Sequence, residues 1–200
     1  MKKRGTLLIL SGPSGVGKGT VVKELRKRND QIWLSVSATT RAPRPEDKDG
    51  VTYWFKPVEE FQDMIAKDQF LEYACYSGNH YGTPEGPVNE MLAAGMDVVL
   101  EIEAQGALQV MQRRPDAVSV FIAAPVFSQI RQRLLHRGDT TGDDLEKRIA
   151  TARWEYTQAP KYDYIVVNDR VEDCADEIMA ILTADKCKAD YRKELLKEDD

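Results

Sequence analysis

Residues 12–20 read Gly-Pro-Ser-Gly-Val-Gly-Lys-Gly-Thr. Glycines at 12, 15, 17 and 19 let the backbone wrap tightly, so that successive N–H groups converge on one anion. Lys18 adds a flexible point charge that reaches the β- and γ-phosphates of a nucleotide. Gly12, Pro13, Ser14, Gly15, Val16, Gly17, Lys18, Gly19 and Thr20 are therefore a candidate triphosphate site. The pattern G-x-x-x-x-G-K alone is expected roughly 0.06 times in a chain of this length at average usage. Its context sharpens it, because an apolar run precedes it and a helical pattern follows. One position departs from the usual loop: Gly19 stands where Ser or Thr offers a hydroxyl to Mg²⁺, and Thr20 comes one residue late. A water-mediated approach of the metal near Thr20 is the reading this leaves. A G-x-S-x-G hydrolase turn is absent, since Val16 takes the place of its last glycine.

Three further groups of residues have chemistry to offer. Arg41 and Arg44 follow a strand pattern in a segment stiffened by Pro43 and Pro45. Paired guanidinium groups grip a phosphate by bidentate hydrogen bonds, and Tyr53 adds a hydroxyl donor. On these residues alone a solvated Arg-Pro loop is an equal reading. Glu101 and Glu103 are two apart on a strand pattern and so face the same way, at the carboxyl end where open α/β sheets place ligands. A solvated acidic pair is the alternative there. Arg131, Arg133 and Arg137 share one helical pattern free of acids between Val126 and Gly138, and Arg148 lies on the next. Such cations suit a transferring phosphoryl group. They also suit the solvated faces of two amphipathic helices, which is the reading for Arg131 and Arg153.

Buried strands and amphipathic helices must position these groups. Apolar runs at Thr6–Leu10, Ile32–Val36, Asp97–Ile102, Val118–Ala123 and Tyr164–Val167 read as strands. Helical patterns cover Gly17–Arg28, Ser128–Arg137, Asp143–Tyr156 and Val171–Leu182. Strands alternating with helices predict a parallel sheet covered on both faces. Residues 38–86 break the alternation. They are rich in aromatics and turn residues, with strand patterns at Thr52–Phe55 and Phe70–Tyr76 and a helix at Pro57–Lys67. They read as an insertion in which Tyr73 and Tyr76 pack the small sheet and Cys75 is structural. Residues 185–200 hold five basic and six acidic side chains and read as a solvated, charged tail.

Composition excludes several classes. The 200 residues carry 28 Lys+Arg against 33 Asp+Glu, a net charge of −5, which argues against a broad nucleic-acid face. Cys75, Cys174 and Cys187 are far apart and odd in number, which fits a reducing cytosol and a cytoplasmic location. His80 and His136 are isolated, so no zinc signature can be built. The apolar run after Met1-Lys2-Lys3-Arg4 is too short for a signal peptide, and nothing approaches a membrane span.

Taken in order, GPSGVGK, VSATTRAPRP, DGVTYWF, FLEYACYSGNHYGTP, LEIEAQGA, RLLHRG and VVND resemble the guanylate kinases over about residues 5–184. The resemblance implies an α/β fold of the P-loop NTPase type with a parallel five-stranded sheet (core 5–37, 87–125 and 160–184), an inserted mixed α/β GMP-binding subdomain (38–86) and a helical lid (126–159). It implies ATP-dependent phosphorylation of GMP to GDP in purine nucleotide metabolism, with dGMP as a second acceptor and Mg²⁺ carried by ATP. Ser37, Arg41, Arg44, Tyr53, Glu72, Tyr81, Thr83, Glu101 and Glu103 would hold GMP. The arginines and tyrosines would take its phosphate, and Glu72 with Thr83 would read guanine. Guanine offers N1–H and N2–H donors on one edge, and an ionised carboxylate accepts both. Adenine has an acceptor at N1 and leaves the carboxylate unpaired. Taken alone, Glu72 reads as an ordinary exposed glutamate. Lys18, Arg41, Arg133, Arg137 and Arg148 would be catalytic, and Asn168 would lie on the adenine side, though it serves equally well as a helix cap. The metal role of Glu101 stays open, because both acids of the pair are glutamates. The partners are the small molecules ATP and GMP, with no nucleic acid and no membrane; oligomeric state is left open. Two alternatives remain: a binding module on the same fold without catalysis, and a kinase of the same scaffold for another nucleotide or sugar phosphate. Lys18, Arg41, Arg44, Glu72 and the lid arginines oppose the first. Glu72 with Tyr81-Gly82-Thr83 opposes the second.

Overall fold

A computed structural model describes residues 5–76, 78–136 and 143–193. In chain order the elements are β1 (Leu7–Ser11), α1 (Lys18–Arg28), β2 (Ile32–Leu34), β3 (Ala38–Thr39), β4 (Trp54–Phe55), α2 (Val58–Ala66), β5 (Phe70–Tyr76), β6 (Asn79–Pro84) and α3 (Glu85–Ala93). They continue with β7 (Asp97–Glu101), α4 (Ala104–Arg113), β8 (Val118–Ala123), α5 (Ser128–His136), α6 (Asp143–Gln158), β9 (Tyr164–Val167) and α7 (Val171–Asp185). Two sheets result. The larger is five-stranded in the order β2-β7-β1-β8-β9 with every pair parallel. The smaller is four-stranded, β4-β3-β6-β5, and mixed.

The central sheet is buried on both faces, and its sequence shows why. Side chains alternate along a strand. Leu8 and Leu10 of β1 join Val120 and Ile122 in a core with helices α1, α5, α6 and α7. Leu7 and Ile9 join Leu100 and Phe121 in a second core with α3 and α4. Neither face meets water, so the strands read as continuous apolar runs. The edge strand β9 is the exception: Val166 is buried, whereas Ile165 and Val167 on its other side are exposed. Double coverage, expected of the whole sheet, therefore stops at this edge.

Helix α3 is not marked in the sequence by a clear apolar stripe, and α4 carries only a short one. In α4 the buried face consists of Ala104, Gly106, Ala107 and Val110, mostly small residues that fit close to the sheet. The short strand β6 carries histidine, glycine and proline and is drawn into the small sheet by its pairing with β5.

The charged tail is exposed from residue 186 to 193, but its first residue, Asp185, is buried as the last residue of α7. Asp185 is 4% exposed; it accepts from the Thr6 hydroxyl at 2.9 Å and pairs with Lys188 at 2.8 Å. Beside it Asp97, 1% exposed, accepts from the Thr6 N–H at 2.9 Å and pairs with Lys186 at 2.5 Å. Two buried carboxylates thus clasp the beginning of β1 to the end of α7, each with a cation of its own. The rest of the tail beyond residue 193 lies outside the described residues.

The clasp predicts the behaviour of Asp97→Ala. A buried N–H and an ammonium lose their shared acceptor, which costs about 1.5–3 kcal/mol. Thermal unfolding should show a fall in Tm of several degrees; an unchanged Tm would show that the clasp contributes nothing.

Candidate active site

The phosphate loop runs from the end of β1 to the start of α1. Gly17 precedes α1 with φ 98°, a left-handed conformation that a side chain resists, and a Cβ there would lie 2.7 Å from Asn168 Nδ2. No side chain caps α1, and its first turn has no acid. The positive end of the helix is thus left for an anion. The Lys18 ammonium donates to the Gly12 carbonyl at 2.5 Å. Behind the loop, the buried Val16 carbonyl accepts from Asn168 Nδ2 at 2.8 Å and from the Arg133 guanidinium at 3.1 Å. Arg133 also donates to the Asn168 carbonyl at 3.2 Å. Asn168 is 3% exposed, and its Oδ1 has no partner among the described residues. Its amide therefore braces the loop from behind.

Facing the loop is a cavity of about 470 Å³ between the carboxyl ends of the central strands and the small sheet. The phosphate-loop residues Pro13, Ser14, Gly15, Gly17, Lys18 and Gly19 form one wall. Ser37, Tyr53, Glu72, Tyr81, Glu101 and Glu103 form the rest, with Ala74, Tyr76, Ile102, Gln105 and Gly106. Residues up to 93 positions apart in sequence, Pro13 and Gly106, thus meet across one space.

The small sheet places its groups through strand register. Glu72 on β5 pairs with Thr83 on β6 after an irregularity between Phe70 and Glu72. The Thr83 hydroxyl, fully buried, donates to Glu72 Oε1 at 2.6 Å. Burial raises the Glu72 carboxyl above its usual range; the Thr83 hydrogen bonds pull it back, and Glu103 pushes it up further. Glu72 is 8% exposed, so the sequence-only reading of an exposed glutamate fails. On its other side, a Cβ at Gly106 would lie 2.8 Å from Glu72 Oε2. The glycine leaves room for the carboxylate at the start of α4.

The phosphate-gripping candidates lie at the rim. Arg41 pairs with Asp47 at 2.8 Å and lies over the Tyr53 ring, 5.4 Å from its centroid. Tyr53 and Tyr81 pack edge to face at 6.0 Å. Arg44 is exposed, and its backbone N–H donates to Asp47. Neither arginine lines the cavity.

Glu101 fills the space that the loop's departure at Gly19 leaves open. A Cβ at Gly19 would be 3.4 Å from Glu101 Oε1. Burial raises the Glu101 carboxyl, against the pull of Lys18 and Lys23. Thr20 is exposed and outside the cavity wall. Among the described residues no three His, Cys, Asp or Glu side chains gather into a metal cage.

Neither of the described lid cations, Arg133 and Arg148, lines the cavity. Arg148 is held by Asp144 at 3.3 Å, Arg133 sits behind the loop, and Arg137 lies outside the described residues. Arg131 pairs with Glu146 on the surface, as a solvated face requires. Tyr76 is 65% exposed and lines the cavity, so it does not pack the small sheet as expected, whereas Tyr73, 43% exposed, does lay its ring against Phe70 at 6.3 Å. Cys75 is likewise exposed. Sequence reasoning passed over Gln105 and Gly106 and gave Tyr76 a packing role only. The signal for Gly106 was there: a lone glycine inside a helix costs stability and marks a close approach.

Comparison with known proteins agrees with this geometry. A family model described as Guanylate kinase matches residues 4–185. The guanylate kinase of Halalkalibacterium halodurans is 50% identical over 187 residues, covering 94% of this chain and 92% of the relative. That of Clostridium perfringens is 49% identical over 195 residues, covering 98% and 90%. The crystal structure of guanylate kinase from Anaplasma phagocytophilum superposes with a TM-score of 0.73 at 34% identity, covering 94% of this chain and 89% of that one.

The brace behind the loop predicts that Asn168→Ala leaves the Val16 carbonyl with one donor fewer. Stability should fall by about 1–2 kcal/mol, read as a lower urea midpoint at unchanged slope. A midpoint equal to the parent's would mean that Arg133 alone holds the loop.

Proposed function

The chain belongs to the guanylate kinase family, and from that premise we propose how its residues carry out ATP + GMP → ADP + GDP. One observation carries the assignment: the phosphate loop and the buried Glu72–Thr83 pair face each other across a single cavity. ATP places its phosphates on the loop, against the N–H groups of residues 12–20 and Lys18. GMP places its base against Glu72 and Thr83 and its phosphate toward Arg41, Arg44, Tyr53 and Tyr81. Ser37, Glu101 and Glu103 border the acceptor. A dGMP acceptor meets the same base and phosphate contacts.

Guanine's N1–H and N2–H donate to Glu72, whose second hydrogen-bonding partner is Thr83. Adenine would leave the buried carboxylate unpaired, and that mismatch is the source of selectivity. The attacking group is a phosphate oxygen already ionised near neutral pH, so the reaction needs no strong general base. Rate enhancement comes from alignment, charge neutralisation and exclusion of water. Arg41 exchanges Asp47 for the GMP phosphate. Arg133, Arg137 and Arg148 are the lid cations, and Arg148 must leave Asp144 to reach the phosphoryl group. That movement ties transfer to closure and protects ATP from hydrolysis in the open protein.

The divalent cation is Mg²⁺ bound with ATP, which supplies charge neutralisation at the β- and γ-phosphates. The donor set fits it: Mg²⁺ takes one or two carboxylates plus substrate phosphates, and Glu101 projects its oxygens toward the Gly19 gap. A cytoplasmic location suits three free cysteines and this substrate pair. Among the described residues no helix is long and apolar enough to cross a membrane.

A coupled ADP-release assay with Mg·ATP across GMP, AMP, UMP and CMP tests the assignment. GMP should be preferred on the order of 10⁴-fold in kcat/KM. No turnover with GMP refutes the activity, and equal turnover with AMP refutes the role of Glu72. Gly106→Ala tests the base site more finely. Its new methyl group pushes on Glu72, so KM for GMP should rise about tenfold while KM for ATP stays within about twofold. Preference for GMP over IMP, which lacks the exocyclic amino group, should fall with it. A preserved GMP:IMP ratio would show that Glu72 needs no room at Gly106.

A further inference from the structure

Helix α6 carries a second buried acid that the reaction as described does not use. Glu155 is 3% exposed, and its Oε2 has no hydrogen-bond partner among the described residues. It lies beneath the phosphate loop. The groups that act on it come from three other elements: the Lys18 ammonium at the start of α1, the Ser14 N–H in the loop, and the Ala104 N–H with the Glu103 carboxylate at the start of α4. Tyr162, just past α6, is close enough to feel its charge, and its buried hydroxyl faces Ser11 at the end of β1. Burial pushes the Glu155 carboxyl up to about 7; Lys18 and the two N–H groups oppose the rise and Glu103 adds to it. A carboxyl in this position is out of place as a prop for the fold, because an apolar or neutral side chain would serve at lower cost.

We propose that Glu155 is a positioning residue for ATP: one buried carboxylate, lying between Ser14 of the phosphate loop and the start of α4 at Ala104, aims the loop at the triphosphate. Three features support this. Its place between the two joins the donor side of the cavity to the acceptor side, since Ala104 follows Glu103 and stands two residues before Gly106, the glycine against Glu72. It faces Lys18, the loop's own cation. It also sits seven residues after Arg148 on the same helix, hence on the same side, so the helix that brings the lid arginine also sets the loop. Sequence patterning hid it, because a glutamate in a polar helical stretch reads as solvated.

The inference rests on the reading that the loop holds ATP. Its test separates positioning from support of the fold. Glu155→Gln keeps the shape and removes the charge. The affinity for a non-hydrolysable ATP analogue with Mg²⁺, measured by calorimetry at pH 8, should weaken about tenfold, the scale of one charge-assisted hydrogen bond. The affinity for GMP should stay within about twofold. Because the raised folded-state pKa makes Glu155 a stabilising group only at low pH, its contribution is lost as pH rises through about 7. The variant's Tm at pH 8 should therefore equal or exceed the parent's. Weaker ATP-analogue binding in an equally stable protein is the signature of positioning. An unchanged or tighter analogue affinity overturns the proposal, and so does a fall in Tm with equal weakening toward both ligands. Should the glutamine variant fail to fold, Glu155→Asp, one methylene short of the loop, is read by the same split. A parent protein that did not bind the analogue would overturn the ATP reading along with this one, whereas a parent that binds it beside an unaffected variant overturns this one alone.

Discussion

Burial of the central sheet on both faces is the constraint from which the rest follows. β1, β7 and β8 present apolar side chains to helices on either side, so no polar chemistry fits along their length. Polar groups are confined to the strand ends. At the carboxyl end the chain leaves β1 as the phosphate loop and leaves β7 through Glu101 and Glu103. At the other end Asp97 and Asp185 close the fold around Thr6. Function and fastening thus occupy opposite rims of one apolar slab. The small sheet adds what the slab cannot hold: a half-exposed surface that carries Tyr53, Glu72 and Tyr81 to the rim.

The parts legible in the sequence are those whose physics is local. The strand–loop–helix unit at residues 7–28 is written in three signals that agree: an apolar run, a glycine-rich turn and a helical period. Strands Phe70–Tyr76, Val118–Ala123 and Tyr164–Val167 coincide with their apolar patterns for the same reason. The two-residue strand β3 and the histidine- and glycine-bearing β6 exist through pairing with distant partners, which no local pattern announces. The same divide runs through the site. Glu72 and Thr83 stood out only within an ordered series of motifs, because a hydrogen bond across two strands joins them. Glu155 stood out in no way at all, since its burial depends on how α6 lies against a loop more than a hundred residues earlier.

The acidity of the chain is reconciled with anion binding in the same geometry. A net charge of −5 is a property of the whole surface. Three of the cations nominated for phosphate are held by internal partners: Arg41 at the rim by Asp47, Arg148 outside the cavity wall by Asp144, and Lys18 in the wall by the Gly12 carbonyl. An incoming phosphate competes with those partners one at a time. Binding is therefore an exchange of ligands around fixed cations, and the field of the whole molecule has little say in it.

The position of β1 at the middle of the sheet has a consequence for how the chain is made. Leu7 pairs with Val98 and Leu8 with Val118, so β1 waits for partners that are synthesised about half a chain later. Its last fastening, from the Thr6 hydroxyl to Asp185, spans 179 residues. Until then a wholly apolar strand is exposed, and the topology allows no independent amino-terminal half to shelter it. Docking of β1 must therefore wait until residues 97–123 are available. The nascent chain is most vulnerable to aggregation over the interval in which residues 7–11 have emerged and residues 97–123 have not.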